Sequence, residues 1–127
     1  MVKFTVVSGN ASTDLAKRIA RKLKSPYIKT EKKVFPDGES KITINQIPKK
    51  SIVVVVQSTY PPVDSNLLEL LSIVSKVQKF SSKVYAVIPY MGYARQDREF
   101  LGGEIVTIGV VGKLLRAAGV KKVLTVD

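Results

Sequence analysis

The segment of the sequence with the most chemically capable side chains is Pro89–Asp97, which reads P-Y-M-G-Y-A-R-Q-D. Arg95 offers a planar fork of hydrogen-bond donors that suits a phosphate or the face of a purine. Gln96 both donates and accepts hydrogen bonds, and Asp97 can accept one from a ligand or hold the arginine in place. The pattern predicts a ligand site. The ordinary alternative is a loop packed on the core with an ion pair between Asp97 and Arg98.

A second segment, Phe35–Glu39, reads F-P-D-G-E and places a carboxylate on each side of a glycine. The ordinary interpretation is a turn with solvated acids. The functional interpretation is that Asp37 and Glu39 accept hydrogen bonds from an amine such as the adenine amino group, while Phe35 stacks on the base. Two clustered acids need a reason in a chain this basic.

The elements around these segments predict where they lie. Short β-branched runs predict buried strands, and apolar residues spaced by three and four predict helices. The predicted strands are Lys3–Ser8, Lys41–Asn45, Ile52–Gln57, Val84–Ile88 and Val123–Val126, and the predicted helices are Asp14–Lys24, a helix from Asp64 or Ser65 to about Phe80, and Ile105–Ala118. This order predicts an α/β fold in one domain, residues 1–127, with a mainly parallel sheet flanked by helices on both faces. The long loop Pro89–Gly103 follows the predicted strand Val84–Ile88, so it would leave the carboxyl edge of that sheet, where α/β proteins bind ligands.

Local signals add four smaller expectations. Ser12 or Thr13 should cap the first helix, and Asp64 or Ser65 the second. Gly109 and Gly112 should allow close helix packing, since no glycine-rich phosphate loop surrounds them. Lys121 and Lys122 should mark a solvent-facing turn before the last strand. The side chains expected to point inward from the second helix are Leu67, Leu68, Leu71, Val74 and Val77.

Composition excludes several classes of site. The sequence has no cysteine, so disulfides and thiolate metal sites are absent, and no histidine, so a metal would need oxygen ligands, which favours Mg²⁺. Lys and Arg number 21 against 10 Asp and Glu, a net charge of +11 that favours anionic partners. No apolar run approaches the roughly 20 residues that span a bilayer, and the start of the chain shows no signal-peptide pattern.

Together, the two segments resemble those of ribose-phosphate pyrophosphokinase, also called phosphoribosyl pyrophosphate synthetase. The resemblance covers nearly the whole chain but only the N-terminal half of a family member. The further matching segments are G-N-A-S at 9–12, Q-S-T at 57–59, N-L-L-E-L at 66–70, G-E at 103–104 and L-T-V-D at 124–127.

This resemblance implies a phosphoribosyltransferase-like fold and an enzyme that transfers the pyrophosphoryl group of ATP to ribose 5-phosphate with Mg²⁺. It implies a cytoplasmic dimer or hexamer with a shared ATP site and with no membrane or nucleic-acid partner. The implied ATP-binding residues are Phe35, Asp37, Gly38 and Glu39, reaching across from a neighbouring subunit, together with Arg95, Gln96 and Asp97. Asp127 matches the first residue of the family's metal loop. The family's catalytic and ribose-phosphate loops match nothing in these 127 residues, so the chain alone is expected to be inactive.

Two other functions fit the same residues. The chain could be a non-catalytic, regulatory relative that keeps the fold but not the chemistry. It could also be a basic α/β module that binds RNA or another polyanion. The stretch Arg98–Gly102, which follows the Arg-Gln-Asp motif, is short and apolar and departs from the arginine-rich spacing of the family pattern.

Overall fold

A five-stranded parallel sheet carries the fold, and the computed structural model describes it over residues 3–46, 48 and 50–126. The strands and helices in chain order are β1 (Phe4–Ser8), α1 (Thr13–Leu23), β2 (Tyr27–Lys29), β3 (Glu31–Val34), β4 (Ser40–Thr43), β5 (Ile52–Val56), α2 (Val63–Val77), β6 (Val84–Ile88), α3 (Thr107–Ala118) and β7 (Val120–Thr125).

The main sheet has the strand order β2-β1-β5-β6-β7, and every neighbouring pair in it is parallel. The central strand β5 is a run of one isoleucine and four valines, and its four valines are buried. Such a continuous β-branched run is typical of a strand covered on both faces. The predicted parallel α/β fold is confirmed.

Helices cover both faces of this sheet. On one face Ala16 and Ala20 of α1 pack against Val6, Val54 and Val56. On the other face α2 and α3 form the larger core with the remaining inward residues of β1, β5 and β6. The small alanine side chains let α1 lie close to the strands. The prediction of helices on both faces is also confirmed.

Strands β3 and β4 form a separate antiparallel hairpin, paired from Glu31 with Thr43 to Val34 with Ser40. Most of its residues are exposed or half-buried, and Ile42 and Ile44 pack against the edge of the larger core. The hairpin presents Phe35–Glu39, which we call the hairpin tip, at its turn. It follows directly from the carboxyl end of β2, so the tip belongs to the same edge of the sheet as the loops after β5 and β6.

The last strand differs from its prediction. It was expected over Val123–Val126 and buried, but β7 runs from Val120 to Thr125 and only Val120 is buried. The paired lysines Lys121 and Lys122 are part of the strand, not of a turn. The reason is its position, because an edge strand has a neighbour on one side only. Leu124 is accordingly 53% exposed.

Helix α2 also differs in detail. Leu68, expected to point inward, is 63% exposed, whereas Glu69 is only 2% exposed. The helix begins at Val63, after Pro62, and neither Asp64 nor Ser65 caps it. The way the helix packs on the sheet decides which of its residues are buried. At this point of the helix, Glu69 is buried in place of its neighbour Leu68.

Two other local predictions are wrong. Ser12 occupies the N-cap position of α1, but its hydroxyl caps nothing there and accepts a hydrogen bond from the Ser58 backbone N–H instead. Gly109 and Gly112 have open space where a Cβ would lie, so neither serves close packing among the described residues. Within those residues, none of the helices is long and apolar enough to cross a membrane.

Candidate functional site

Buried polar side chains join the loops that leave the carboxyl ends of β1 and β5. The fully buried Gln57 accepts a hydrogen bond from the Ala11 N–H at 3.0 Å and donates one to the Asn66 carbonyl at 3.4 Å. Gly9 is needed beside it, since a Cβ there would lie 2.1 Å from Gln57 Oε1. Buried polar groups satisfied in this way hold loops in one arrangement. The carboxyl edge of the sheet is therefore a fixed platform.

The loop of residues 89–106, which we call the Arg-Gln-Asp loop, is held to this platform at its start. The Thr59 hydroxyl donates to the Tyr90 carbonyl at 2.9 Å and accepts from the Gly92 N–H at 2.7 Å. Gly92 lies so close to α2 that a Cβ would be 2.6 Å from Val63 Cγ1. Tyr93 follows with a positive φ of 68°. The start of the loop is thus clamped between β5 and α2.

The Tyr93 hydroxyl donates a hydrogen bond to the Asp64 carboxylate at the start of α2. This bond raises the pKa of Tyr93, because a phenol that donates to a carboxylate is stabilised in its neutral form. The aspartate expected to cap α2 therefore holds the Arg-Gln-Asp loop instead.

Gln96 is tied to the start of α3. Its N–H donates to the Tyr93 carbonyl at 2.9 Å, and its side-chain oxygen accepts from the Thr107 hydroxyl at 2.8 Å. Its carbonyl accepts from the Ile108 N–H at 3.3 Å. The side-chain oxygen of Gln96 therefore already accepts a hydrogen bond within the protein, which bears on its predicted contact with a ligand.

Arg95 and Asp97, the neighbours of Gln96, are exposed. Asp97 forms an ion pair with Arg98 at 3.5 Å, in which the two side chains are 56% and 72% exposed. This is the ion pair of the ordinary interpretation, and its exposure makes its contribution to stability small. Asp97 pairs with Arg98 here, and its two predicted roles, accepting a hydrogen bond from a ligand or holding Arg95 in place, stay predictions. The Arg95 guanidinium projects from the loop toward solvent.

The hairpin tip is organised by its own hydrogen bonds. Phe35 N–H donates to the Glu39 carbonyl at 2.8 Å, and Gly38 N–H donates to the Phe35 carbonyl at 2.9 Å. The Glu39 N–H donates to Asp37 Oδ1 at 3.0 Å, and this bond holds the pKa of Asp37 below its usual value. Gly38 has a φ of 92°, a conformation that favours glycine. The tip is a preformed turn with an ionised carboxylate.

A cavity of about 550 Å³ lies between the hairpin tip and α2. Asp37, Gly38 and Glu39 line one side of it, and Asp64 and Ser65 line the other. Three of the predicted site residues therefore share one cavity. Phe35 does not line it, although its ring is 38% exposed beside the Lys33 ammonium, which lies 5.3 Å from the ring centre.

A second cleft, of about 460 Å³, lies between the start of α2 and the Arg-Gln-Asp loop. It is lined by Tyr93 and Gln96 from the loop and shares Asp64 and Ser65 with the first cavity. The start of α2 is therefore the common wall between the two predicted segments. Arg95 and Asp97 line neither cavity.

The sequence interpretation gave no site role to Asp64 or Glu69, and it did not foresee the contact between Asp64 and Tyr93. For Glu69 the spacing of three and four residues from Asn66 and Ile73 became informative only because the structure shows that those two residues are buried. The contact between Asp64 and Tyr93 had no signal, since it joins residues 29 apart in sequence. Asp127, the predicted metal ligand, lies outside the described residues. Within the described part of the chain no cluster of acids could hold a metal ion by itself.

Comparison with known proteins identifies the family. Residues 4–119 match the model of the N-terminal domain of ribose phosphate pyrophosphokinase. A ribose-phosphate pyrophosphokinase of Clostridium perfringens is 42% identical over 123 residues, which are 96% of this chain and 39% of that protein. One from Fusobacterium nucleatum is 43% identical over 131 residues, covering 100% of this chain and 42% of the relative.

The fold agrees with these relatives. The crystal structure of phosphoribosylpyrophosphate synthetase from Mycobacterium smegmatis superposes with a TM-score of 0.89 at 26% identity, over 98% of this chain and 42% of that one. This confirms the phosphoribosyltransferase-like expectation. The chain spans about two fifths of the length of the relatives it matches. By its family match and its relatives, the chain belongs to the ribose-phosphate pyrophosphokinase family, within which it corresponds to the N-terminal domain.

Proposed function

We propose that this chain is the ATP-binding domain, residues 1–127, of an enzyme that transfers the pyrophosphoryl group of ATP to ribose 5-phosphate. The products would be phosphoribosyl pyrophosphate and AMP, used in nucleotide biosynthesis. The names of the relatives support the reaction. The observation that supports ATP binding is that each predicted segment borders a cavity of its own, and Asp64 and Ser65 line both cavities.

The hairpin tip would recognise adenine. Asp37 and Glu39 would accept hydrogen bonds from the exocyclic amino group, and Phe35 would stack on the ring. The low pKa of Asp37 keeps this carboxylate ionised, and so an acceptor, at physiological pH. Gly38 has the positive φ of this turn, and the acids on either side of it line the same cavity. Acceptors at this position favour an amino group over the carbonyl that guanine carries there.

The Arg-Gln-Asp loop would hold the rest of the nucleotide. The exposed Arg95 has its donors available for the phosphates or for stacking on the base. Gln96 would add a donor from its amide group, and Asp97 would move from its weak pair with Arg98 to a ligand contact. Pyrophosphoryl transfer depends mainly on positioning and charge neutralisation, which these groups can supply only in part.

Mg²⁺ is the proposed cofactor and would arrive with the ATP phosphates. The described residues do not fit a metal site of their own, so we assign no step to a metal bound by them alone. Asp127 remains the proposed protein ligand. We expect the 127 residues alone to bind ATP without forming product, because the family's catalytic and ribose 5-phosphate loops have no match in them.

A cytoplasmic homo-oligomer, a dimer or hexamer, is proposed as the working form. In it the hairpin tip would serve the ATP bound at the Arg-Gln-Asp loop of a neighbouring subunit. Large apolar side chains that remain exposed on the chain support such contacts. Four of them, Leu68, Phe100, Leu101 and Ile105, are each more than 60% exposed.

Calorimetric titration with Mg-ATP tests the proposal. We expect Arg95→Ala and Asp37→Ala each to weaken binding by about tenfold or more, since a charge-assisted hydrogen bond is worth about 1.5–3 kcal/mol. Arg116→Ala, in the last turn of α3, is the matched control and should bind ATP normally. Unchanged affinity in both site variants would overturn the proposal.

Titrations with Mg-ATP and with RNA at increasing salt concentrations distinguish the proposed function from the polyanion-binding alternative. An RNA-binding module should lose RNA affinity steeply with salt and be indifferent to Asp37→Ala, because its binding rests on counterion release. ATP binding that depends on Asp37 and Arg95 contradicts that alternative.

A further inference from the structure

We infer that Lys32 and Glu69 position the β3–β4 hairpin, and with it the hairpin tip, for base recognition. This inference rests on the proposed function and deepens it, by assigning a role to an ion pair outside the predicted ATP contacts. Glu69 belongs to α2 and Lys32 to β3. The pair joins the hairpin to the fixed platform of the sheet.

Glu69 is a buried carboxylate with one oxygen fully engaged. Its side chain is 1% exposed, and its Oε2 accepts hydrogen bonds from both the backbone N–H and the side-chain amide of Asn10, each at 2.7 Å. Asn10 lies in the loop after β1. The loop after β1 therefore holds Glu69 in place independently of the hairpin.

The other oxygen of Glu69 faces the hairpin. Its Oε1 has no hydrogen-bond partner among the described residues, and Lys32 Nζ lies 3.5 Å away as an ion pair. The same Nζ donates to the Ser65 hydroxyl at 3.1 Å. Lys32 thus bridges two residues of α2, and both Ser65 and Glu69 also line the cavity of the hairpin tip.

The hairpin has few other attachments. It shares no ladder with the main sheet, and its strands are mostly exposed. Lys32 pairs in register with Ile42, so the two side chains lie on the same face of the hairpin. Ile42 packs against the core and Lys32 reaches Glu69, which gives this face one apolar and one ionic anchor. Since Phe35 follows three residues after Lys32, displacement of this anchor would move the tip.

The pair should be sensitive to loss of one partner. An acid that is almost fully buried and loses its counter-charge is left with an oxygen that nothing neutralises. The hairpin would then move so that water reaches Glu69, and the tip would move with it. Misplacement by about 1 Å can cost up to about a hundredfold in function.

The experiment compares ATP with GTP, because guanine carries a carbonyl where adenine carries its amino group. We expect Lys32→Met to raise the dissociation constant for ATP about tenfold and that for GTP much less, so that selectivity falls. Lys32→Arg, which keeps the cation, should retain selectivity. Lys41→Met is the matched control, because Lys41 is exposed on the opposite face of the same hairpin.

A purely structural role would change both nucleotides equally, and that outcome overturns the inference, as does unchanged selectivity in Lys32→Met. Binding is measured well below the melting temperature of each variant. If Lys32→Met does not fold, Glu69→Gln takes its place: its amide oxygen still accepts from Asn10, but the ion pair with Lys32 is lost, so the same fall in selectivity is expected.

Asp37→Asn separates failure of this inference from failure of the proposed function. If Asp37→Asn lowers ATP selectivity and Lys32→Met does not, the adenine site stands and the positioning role is wrong. If neither the wild-type protein nor Asp37→Asn distinguishes ATP from GTP, the proposed adenine site itself is wrong.

Discussion

The two segments that carry the candidate ATP residues are held in opposite ways. The hairpin tip is closed by its own backbone hydrogen bonds and reaches the rest of the molecule through an ion pair and partly buried isoleucines. The Arg-Gln-Asp loop is fixed from outside, by Thr59 and Asp64, and is clamped at Gly92. Beyond that clamp, Arg95 and Asp97 extend into solvent.

This difference matches what each segment would bind. A base is recognised by a few hydrogen bonds of fixed direction, which a preformed turn can offer without reorganisation. A phosphate chain is flexible, and a long, exposed arginine side chain can follow it. The comparison predicts that glycine substitutions will destabilise the two segments for different reasons. At Gly92 the reason is lack of space, and at Gly38 it is the backbone conformation.

The largest effect is expected for Gly92→Ala. The new Cβ would lie 2.6 Å from Val63 Cγ1 and 3.2 Å from Thr59 Oγ1, so either α2 or the loop must move. Overpacking of this kind costs about 2 kcal/mol in the free energy of unfolding. Urea denaturation measures it.

Gly102→Ala is the control within the same loop, because nothing lies within 4 Å of its Cβ position. It should leave the free energy of unfolding nearly unchanged. Equal effects of the two substitutions would show that the loop is not clamped at Gly92.

A smaller effect is expected for Gly38→Ala. Space is available around Gly38, but its φ of 92° is unfavourable for a residue with a Cβ. The cost is about 1 kcal/mol. Gly38→Asn should recover part of it, because asparagine tolerates positive φ better than alanine.

Denaturation of Gly38→Ala and Gly38→Asn side by side checks this ranking. A loss that is the same for alanine and asparagine would point to crowding at the tip instead of conformation. The hairpin would then resemble the Arg-Gln-Asp loop in how it is held, and the contrast between the two segments would disappear.

The sequence was sufficient for the parts of the fold that rest on local pattern. The β-branched run at Ile52–Val56 and the apolar run at Val84–Ile88 predicted two central parallel strands, because burial on both faces demands such residues. The sequence also indicated the two candidate ATP segments, because each combines glycine, proline and charged residues in a short loop. The placement of the Arg-Gln-Asp loop at the carboxyl edge followed from its position after a predicted parallel strand.

What the sequence could not supply depends on contacts between distant residues. Glu69 looked like one more member of an amphipathic helix, yet Asn10 and Lys32 make it a buried junction. Leu68 looked like core and is exposed, because the orientation of α2 is set by the sheet beneath it. Ser12 looked like a helix cap, but its hydroxyl accepts a hydrogen bond from the Ser58 N–H instead. In each case a tertiary partner decided against the local preference.

The smallest expected effect concerns the bond from Tyr93 to Asp64, and it appears only in alkaline solution. The folded-state pKa of Tyr93 is raised above its unfolded value, so the stabilisation from this bond is complete below about pH 10. It should be lost as the pH rises through the folded pKa, when the phenolate faces the carboxylate. The melting temperature of the wild-type protein should therefore exceed that of Tyr93→Phe by a constant amount at neutral pH.

Above about pH 10 that difference should shrink toward zero. Lysines also titrate there, but they do so in both proteins, so the difference between the two melting curves isolates Tyr93. If the gap between wild type and Tyr93→Phe stays constant through the alkaline range, then Asp64 does not hold the Arg-Gln-Asp loop through this hydroxyl. The clamp would then rest on Thr59 and Gly92 alone.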